Sequence, residues 1–444
     1  MGFFRGDPLA GLTATGRHPE ERSDEGSLSQ LHHDSKQMLV PTLTSLNGAM
    51  QVNSARRMRS SFLPFARPSL GEEEIQEVVD TLRSGWITTG PKTERFTSEF
   101  REYVGGRFAV PVSSATAGLH AALLALGVGP GDEVVTTPMT FVATLNTIVH
   151  CGAVPVLVDI DAATLQMRIE GVEAVLTPRT RAIVPVHYVG QPVDLDPLLD
   201  LAASRGVAVL EDAAHAVGTE YRGRRIGSFP TTSVFSFHPN KNMTTGEGGM
   251  IVTEDEGVFE RASLLKFHGM DREAWKRFAK DGSPRYDVAE PGFKYNMMDI
   301  QAALGLHQLK RLEGFIAERT RLAARYDAAF RGAAGLILPA RVPYPSRHAW
   351  HLYTPLVDVD RLTISRDRFM EELKRRNIGT GLHYTAAHEF SYYAGRFGWK
   401  PEDYPEAHFV SERIVSLPLF PGLSDADQDD AIAAISEVLQ EFGR

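Results

Sequence analysis

The stretch Ser233-Val-Phe-Ser-Phe-His-Pro-Asn-Lys-Asn-Met-Thr-Thr-Gly-Glu-Gly-Gly-Met250 places Lys241 between two apolar segments. Residues 234–237 have the β-branched and aromatic composition of a short buried strand. Pro239 ends that strand, because proline has no N–H to donate to a neighbouring strand. The glycines at positions 246, 248 and 249 allow a tight return into a second strand over residues 250–253. The pattern predicts that Lys241 lies on a short, rigid connection between two strands.

A lysine held in this way is suited to forming a Schiff base. A partly desolvated amine has a lowered pKa, so more of it is neutral and able to attack a carbonyl carbon. The alternative is an ordinary solvated lysine, which is the common case for loops. Lys241 alone does not decide between the two.

The bulk properties indicate a globular protein. The chain has 444 residues, enough for two domains, with 43% hydrophobic and 23% charged residues. A net charge of -9 and the lack of a basic block argue against general nucleic-acid binding. No apolar run approaches the roughly 20 residues needed to cross a bilayer. Cys151 is the only cysteine, so a disulfide framework is excluded and a reducing, cytoplasmic location is expected.

The sequence predicts three regions. Residues 1–57 are polar and lack any helical or strand period, which predicts a disordered tail or a stretch that precedes the true start of the protein. Residues 58–310 are predicted to form a large domain, and residues 311–444 a smaller C-terminal one. From Phe62 onward, turn residues and apolar periods become regular.

Strands and helices alternate through the large domain. The predicted strands are 108–112, 133–137, 154–158, 182–186 and 207–210, and the predicted helices are 117–126, 141–150, 170–176 and 195–204. Such alternation indicates an α/β fold with a mostly parallel sheet covered on both faces. In these sheets ligands bind beyond the carboxyl ends of the strands. Polar residues at those ends are therefore the candidate site residues.

Four groups of residues follow predicted strands. Ala115 and Thr116 open a helix whose free N–H groups could hold a phosphate, although an ordinary helix cap is the common alternative. Phe141 could stack on a flat ring, or could be a core residue. Asp212 ends an apolar strand, where it could keep a pyridine nitrogen protonated or merely cap the next segment. With Lys241 these are the features that pyridoxal 5'-phosphate requires: a phosphate cradle, a stacking ring, an acid and an amine.

Four motifs carry a resemblance to a known family. They are Ser113-Ser-Ala-Thr-Ala-Gly118, Glu211-Asp-Ala-Ala-His215, Ser236-Phe-His-Pro-Asn-Lys-Asn242 and Gly246-Glu-Gly-Gly249. From about Phe62 to its end, the chain resembles the sugar aminotransferases of the DegT/DnrJ/StrS type, a branch of the fold-type I pyridoxal-phosphate transferases. The resemblance implies a large domain with a mostly parallel sheet and a smaller C-terminal α+β domain.

The resemblance also implies roles for individual residues. Lys241 would bind the cofactor and act as the catalytic base and acid, Asp212 would pair with the ring nitrogen, and His215 would meet the ring hydroxyl. The phosphate would be held by Ser236, Ala115 and Thr116, and Phe141 would stack on the ring. The family is further expected to form homodimers with shared sites, in which Asn296 of Gly292-Phe-Lys-Tyr-Asn-Met297 would contact the neighbour's phosphate. Without the resemblance, Asn296 would be interpreted as a turn residue.

The expected reaction moves an amino group from glutamate to C4 of a nucleotide-linked 4-keto sugar. Within the family the resemblance is strongest to the UDP-4-amino-4-deoxy-L-arabinose–oxoglutarate aminotransferases of lipid A modification, which implies a UDP-4-keto-pentose substrate. It rests on Ser84-Gly-Trp-Ile-Thr-Thr-Gly-Pro-Lys92, Pro185-Val-His-Tyr188, Phe293-Lys-Tyr-Asn296, Gly379-Thr-Gly-Leu-His383, Ala386-Ala-His388 and Leu417-Pro-Leu-Phe-Pro421. Phe141 and Gln191 depart from that branch and could reshape the sugar pocket. A UDP- or dTDP-4-keto-6-deoxyhexose is therefore the competing substrate.

Three other functions are weighed against this one. Related dehydratases carry histidine at the lysine position, which Lys241 argues against. A cysteine desulfurase needs a reactive thiol, whereas Cys151 lies at an apolar helix end where an inert thiol is expected. A non-catalytic, cofactor-binding regulator would lack Lys241 or Asp212, or would carry a DNA-binding module. His383 and His388 have no metal-ligand spacing and are interpreted as loop residues that face the substrate.

Overall fold

The structure is a computed structural model that describes residues 59–271 and 285–444. The tail predicted over residues 1–57 lies outside the described residues. In the described part the helices are α1 Glu72–Ser84, α2 Pro91–Val104, α3 Ala115–Ala125, α4 Val142–His150, α5 Val172–Val175, α6 Leu195–Arg205, α7 Glu256–Leu265, α8 Asp299–Phe330, α9 Arg366–Arg375, α10 Ser391–Phe397, α11 Pro405–Ser411 and α12 Asp425–Phe442.

Seven strands form the main sheet. They are β1 Phe108–Val112, β2 Glu133–Thr136, β3 Val154–Leu157, β4 Thr180–Ile183, β5 Ala208–Asp212, β8 Thr232–Ser236 and β9 Gly249–Thr253. Five short strands of the described residues belong to two smaller sheets. They are β6 Glu220–Tyr221, β7 Arg224–Arg225, β10 Leu336–Ile337, β11 Ser346–Arg347 and β12 Leu356–Val357.

The strand order in the main sheet is β1-β9-β8-β5-β4-β2-β3. The five strands from β8 to β3 are parallel, and β9 runs antiparallel to both of its neighbours, β8 and β1. The α/β class with a mostly parallel sheet is therefore confirmed. Because β8 and β9 are adjacent and antiparallel, the chain between them turns back at one edge of the sheet, and that connection carries Lys241.

Apolar side chains cover both faces of the sheet. Along β4, Ala182 belongs to one buried cluster and Ile183 to another, and along β8 the same holds for Val234 and Phe235. Successive residues of a strand point to opposite faces, so this alternation means that neither face is left to solvent.

The strand predicted over residues 182–186 ends earlier in the structure, at Ile183. Pro185 has no N–H to donate, so regular pairing cannot continue through it.

Helix α8 runs 32 residues, through the predicted domain boundary at residues 310 and 311. Its first half packs on the sheet through Leu306 and Leu312, whereas its second half joins a separate cluster through Leu322 and Tyr326. The division of the chain at residue 310 stays a prediction.

Candidate active site

A cavity of about 340 Å³ lies at the carboxyl ends of the parallel strands. Its lining includes seven of the eight residues predicted to contact a cofactor, which are Ala115, Thr116, Phe141, Asp212, His215, Ser236 and Lys241. The strands and loops thus bring together residues that are up to 126 positions apart, since 241 − 115 = 126.

One end of the cavity is the N-terminus of α3. Ser114 caps this helix, its hydroxyl oxygen accepting the N–H of Ala117 at 3.1 Å. The N–H groups of Ala115 and Thr116 belong to the first turn and have no acceptor within the helix. Ser236, the last residue of β8, adds a hydroxyl to the same cavity. Free N–H groups at a helix N-terminus attract anions, so this end suits a phosphate.

Asp212 is a buried carboxylate at the end of β5. Its Oδ2 accepts the Thr144 hydroxyl at 2.7 Å and its Oδ1 accepts the Ala214 N–H at 3.1 Å. Burial raises the pKa of Asp212, whereas these two donors and the charge of Lys241 act to lower it. A cation at the remaining lone pairs would favour the ionised form, which is what a protonated pyridine nitrogen provides.

His215 lies beside Asp212 in the chain and is buried. Its Nδ1 accepts the Val189 N–H at 3.3 Å, which assigns the ring proton to Nε2, where Tyr384 Oη lies at 3.1 Å. Burial and the charge of Lys241 keep the pKa of His215 well below its ordinary value, so the ring is neutral. His215 therefore presents an N–H donor toward the cavity.

Lys241 is half-buried on the connection between β8 and β9, where its backbone N–H donates to His238 O at 2.9 Å. Burial lowers the pKa of Lys241 to about 8, against the opposing attraction of Asp212. A larger fraction of the amine is thus neutral near neutral pH than in a solvated lysine, which favours its use as a nucleophile.

Phe141 and the loop at residues 383–384 form the opposite wall. Phe141 is 53% exposed, so it is not a core residue, and its ring centroid lies 5.5 Å from that of Tyr384. The backbone carbonyl of His383 accepts the Tyr188 hydroxyl, which fastens this loop to the segment that follows β4. His383 lines the cavity, as expected. His388 does not, because its ring is fully buried and faces Tyr404.

Asn296, the eighth predicted residue, lies outside the cavity lining of its own chain. Its side-chain amide donates to Thr89 Oγ1 at 2.7 Å, and its backbone bridges to Val112. The segment that carries Asn296 is held close to the N-terminus of α3, since the Ser113 N–H donates to Tyr295 O at 2.7 Å. The single chain therefore gives Asn296 a structural contact, and its role toward a neighbour stays a prediction.

Two threonines complete the site, and the sequence analysis overlooked both. Thr140 lines the cavity, and its hydroxyl lies 2.8 Å from that of Thr144, which donates to Asp212. The available signal was the position of both threonines at the start of α4, with Thr144 in its first turn and Thr140 just before its N-cap.

Gln191 was expected to shape the sugar pocket, and the structure places it elsewhere. Its amide nitrogen donates to the carbonyls of Thr164 and Ala340, each at 3.2 Å, and its Oε1 accepts the Val342 N–H at 3.0 Å. These bonds hold its side chain against the segments at residues 164 and 340–342, and Gln191 is not among the residues that line the cavity.

The competing chemistries find little support. Cys151 is buried and burial raises the pKa of its thiol to about 12, which leaves it protonated and inert. Among residues 59–271 and 285–444, no group of three or more His, Cys, Asp or Glu side chains is arranged to hold a metal ion. None of the helices in the described part of the chain has both the length and the apolarity that spanning a bilayer demands.

Comparisons with known proteins find similar sequences along most of the chain. The profile of the DegT/DnrJ/EryC1/StrS aminotransferase family matches residues 68–436. The spore coat polysaccharide biosynthesis protein SpsC of Bacillus subtilis is 49% identical over 383 residues, which cover 86% of this chain and 98% of SpsC.

Solved structures are similar throughout the same region. Spr1654 of Streptococcus pneumoniae, described as a candidate sugar aminotransferase, has been solved in PMP and PLP forms. The PMP form is 35% identical, with a TM-score of 0.79 and coverage of 85% of this chain and 99% of its own. The Helicobacter pylori aminotransferase PseC, involved in pseudoaminic acid biosynthesis, is 28% identical, with a TM-score of 0.79 and coverage of 86% and 100%.

Proposed function

We propose a function from one premise: the chain belongs to the DegT/DnrJ/EryC1/StrS aminotransferase family, whose cofactor is pyridoxal 5'-phosphate. In this proposal the protein moves the amino group of glutamate to C4 of a nucleotide-linked 4-keto sugar. The observation that carries the proposal is the single cavity shared by Lys241, Asp212, His215 and the N-terminus of α3.

The residues of the cavity fit the cofactor group by group. The helix N-terminus at Ala115 and Thr116, with the Ser236 hydroxyl, would hold the phosphate. Asp212 would hold the protonated ring nitrogen, the neutral His215 would donate Nε2–H to the ring oxygen, and Phe141 would cover the ring. When bound, the cofactor supplies the electron sink that makes the proton on the amino-bearing carbon acidic.

Lys241 would bind the cofactor's aldehyde and then move protons. Once released by the amino donor, its Nζ would be the base of the site, and burial, which lowers the pKa of this amine to about 8 in the unloaded chain, suits it to proton transfer. The same Nζ would return the proton to the adjacent carbon in the first half-reaction. In the second half-reaction, with the keto sugar, these proton transfers would run in reverse.

The sugar is the finer part of the proposal. Two similar proteins, SpsC and PseC, belong to spore coat polysaccharide and pseudoaminic acid biosynthesis, which supports a nucleotide-sugar acceptor for this chain too. Residues 84–92 and 379–388 resemble the lipid A branch, and on these we propose a UDP-4-keto-pentose as the acceptor. The same relatives favour a second candidate, a UDP- or dTDP-4-keto-6-deoxyhexose, for a cell-surface polysaccharide.

Assembly belongs to the proposal as well. We place the function in a cytoplasmic homodimer in which Asn296 of one subunit contacts the phosphate in the other. Within one chain, residues 58–310 would form the cofactor domain and residues 311–444 the smaller domain that supplies the loop at His383.

One experiment tests the core of this proposal. The purified protein is loaded with pyridoxal phosphate, and the visible absorption is followed as glutamate is added and then a UDP-4-keto-pentose. Glutamate should convert the absorption to that of the pyridoxamine form with release of 2-oxoglutarate, and the keto sugar should restore it. A protein that binds no cofactor, or whose spectrum ignores glutamate, would contradict the proposal.

A further inference from the structure

Thr140, Thr144 and Asp212 form a continuous chain of buried hydrogen bonds that leads from the cavity to the carboxylate. Thr144 and Thr140 are each 1% exposed and Asp212 is 5% exposed. The two links are 2.8 Å between the hydroxyl oxygens and 2.7 Å from Thr144 Oγ1 to Asp212 Oδ2. A hydroxyl has one proton to donate, so Thr144 gives its proton to Asp212 and accepts the proton of Thr140.

This chain opposes the effect of burial on the carboxylate. Burial raises the pKa of Asp212, and the Thr144 hydroxyl leads the influences that lower it. The Ala214 N–H, at 3.1 Å, is the other neutral donor. Of these two bonds to Asp212, the one from Thr144 is the shorter. Its direction is fixed by Thr140, whose hydroxyl donates to a lone pair of Thr144 Oγ1 and so leaves the Thr144 proton pointing at Asp212.

We infer that Thr144 is a positioning residue that keeps Asp212 ionised and aimed at the ring nitrogen of the cofactor, with Thr140 fixing its direction. The inference rests on the proposed function, which supplies the ring nitrogen. Thr144 is absent from the residues that line the cavity, so it acts only through Asp212.

Helix α4 itself supplies a matched control. Thr147 is also 1% exposed, and its hydroxyl donates to the backbone carbonyl of Thr144 at 3.0 Å rather than to Asp212. Thr144→Val and Thr147→Val therefore remove the same hydroxyl from the same helix at equal burial. Only the first removes a hydrogen-bond donor from Asp212, which then keeps the Ala214 N–H alone. Neither change alters the other titratable groups that interact with Asp212. The charges of Lys241 and His187 act on Asp212, and the charge of Asp212 raises the pKa of Tyr384.

The first readout needs no cofactor. The infrared band of the protonated Asp212 carboxyl is followed against pH in the unloaded protein and identified by its absence in Asp212→Asn. Losing a hydrogen bond to a charged group should raise the titration midpoint in Thr144→Val by roughly one to two pH units, with no change in Thr147→Val. Thr144→Ser, which keeps the hydroxyl, should retain the wild-type midpoint. An unchanged midpoint in Thr144→Val, or an equal shift in Thr147→Val, overturns the inference.

The second readout uses the loaded protein. The pH midpoint of the cofactor's visible absorption should move in Thr144→Val in the same direction as in Asp212→Asn, by a smaller amount. A shift in Asp212→Asn alone would refute the role of Thr144 and leave the proposed function standing. No shift in either variant would instead count against the proposed pairing of Asp212 with the ring nitrogen. If Thr144→Val does not fold, Thr140→Val gives the same test, because Thr144 then loses the bond that fixes its direction.

Discussion

Gly249, the first residue of β9, packs so closely on Ala115 that a Cβ built on the glycine would lie 2.8 Å from the Ala115 backbone nitrogen. The same Cβ would lie 2.8 Å from the carbonyl oxygen of Phe235. These neighbours are backbone atoms, which cannot rotate away as a side chain could. The strand that leaves the Lys241 loop therefore supports the helix N-terminus that we assign to the phosphate.

We expect Gly249→Ala to weaken both the fold and the cofactor site. Overpacking against backbone should lower the free energy of unfolding by about 1–3 kcal/mol and shift the helix N-terminus away from the phosphate position. Chemical denaturation measures the first effect, and titration with pyridoxal phosphate measures the second. Gly129→Ala is the matched control, since its Cβ would meet nothing within 4 Å. Equal stability and equal affinity for pyridoxal phosphate in the two variants would show that the contact between Gly249 and Ala115 does not shape the N-terminus of α3.

Lys241→Ala should abolish both the covalent attachment of the cofactor and transamination, since no other lysine of residues 59–271 and 285–444 lines the cavity. The variant should still bind pyridoxal phosphate reversibly through the phosphate and ring contacts. Mass spectrometry after borohydride reduction measures the attachment, and 2-oxoglutarate release measures turnover. Lys310→Ala, at an exposed position of α8, serves as the control. Turnover near the wild-type rate in Lys241→Ala would remove the mechanism.

The rate of cofactor attachment should rise with pH. Burial lowers the pKa of Lys241 to about 8, so the reactive neutral amine is the minor form below that pH and the major form above it. Between pH 7 and pH 8 the neutral fraction, and with it the initial rate of attachment, should increase about fivefold. Stopped-flow absorption after mixing unloaded protein with pyridoxal phosphate measures this rate. If the pH midpoint of the attachment rate lay near the pKa of a solvated lysine, the amine of Lys241 would not be desolvated.

Some features of the fold and site could be predicted from the sequence, because they follow from local pattern. Apolar strands alternating with helices require a parallel sheet, and the carboxyl ends of parallel strands meet at one edge. For that reason Asp212, Ser236 and the α3 N-terminus could be expected together. The predicted end of β4 was less accurate, because Pro185 interrupts an otherwise apolar run.

Pairings between distant side chains could not be predicted. Thr144 and Asp212 are 68 positions apart, and only the packing of α4 on the sheet brings them to 2.7 Å. The contacts of Gln191 were equally hidden. A residue that differs from the expected one suggested a change in the sugar pocket, whereas its amide bonds to backbone groups of Thr164, Ala340 and Val342. Nothing local in the sequence distinguishes these two uses of a polar side chain.

The assignment of Asn296 to a neighbouring subunit predicts complementation. Mixing Lys241→Ala with Asn296→Ala under conditions of subunit exchange would produce hybrid dimers with one intact site and one doubly altered site. At equal amounts and random exchange, about a quarter of the wild-type activity should return, because half of the dimers are hybrids with half of their sites intact.

A further variant separates the two contacts of Asn296. Thr89→Val removes the partner that Asn296 has within its own chain but should leave the trans contact in place, so it should stay active. Absence of recovery in the mixture, with exchange verified by differently tagged subunits, would assign Asn296 a structural role only.

The substrate prediction turns on the wall formed by Phe141 and Tyr384. Their ring centroids are 5.5 Å apart, and Phe141 stands where the lipid A branch is expected to carry the larger tryptophan. A smaller ring leaves room that one methyl group of a deoxyhexose could fill, and such a group is worth only about 1–3 kcal/mol of discrimination.

We predict that kcat/KM is highest for the UDP-4-keto-pentose and that Phe141→Trp increases its margin over UDP- and dTDP-4-keto-6-deoxyhexoses. Gln191→Ala, remote from the cavity, should leave the ratio unchanged. A wild-type preference for a deoxyhexose that Phe141→Trp reverses would assign the pocket to the larger sugar, and the aminotransferase mechanism would be unaffected.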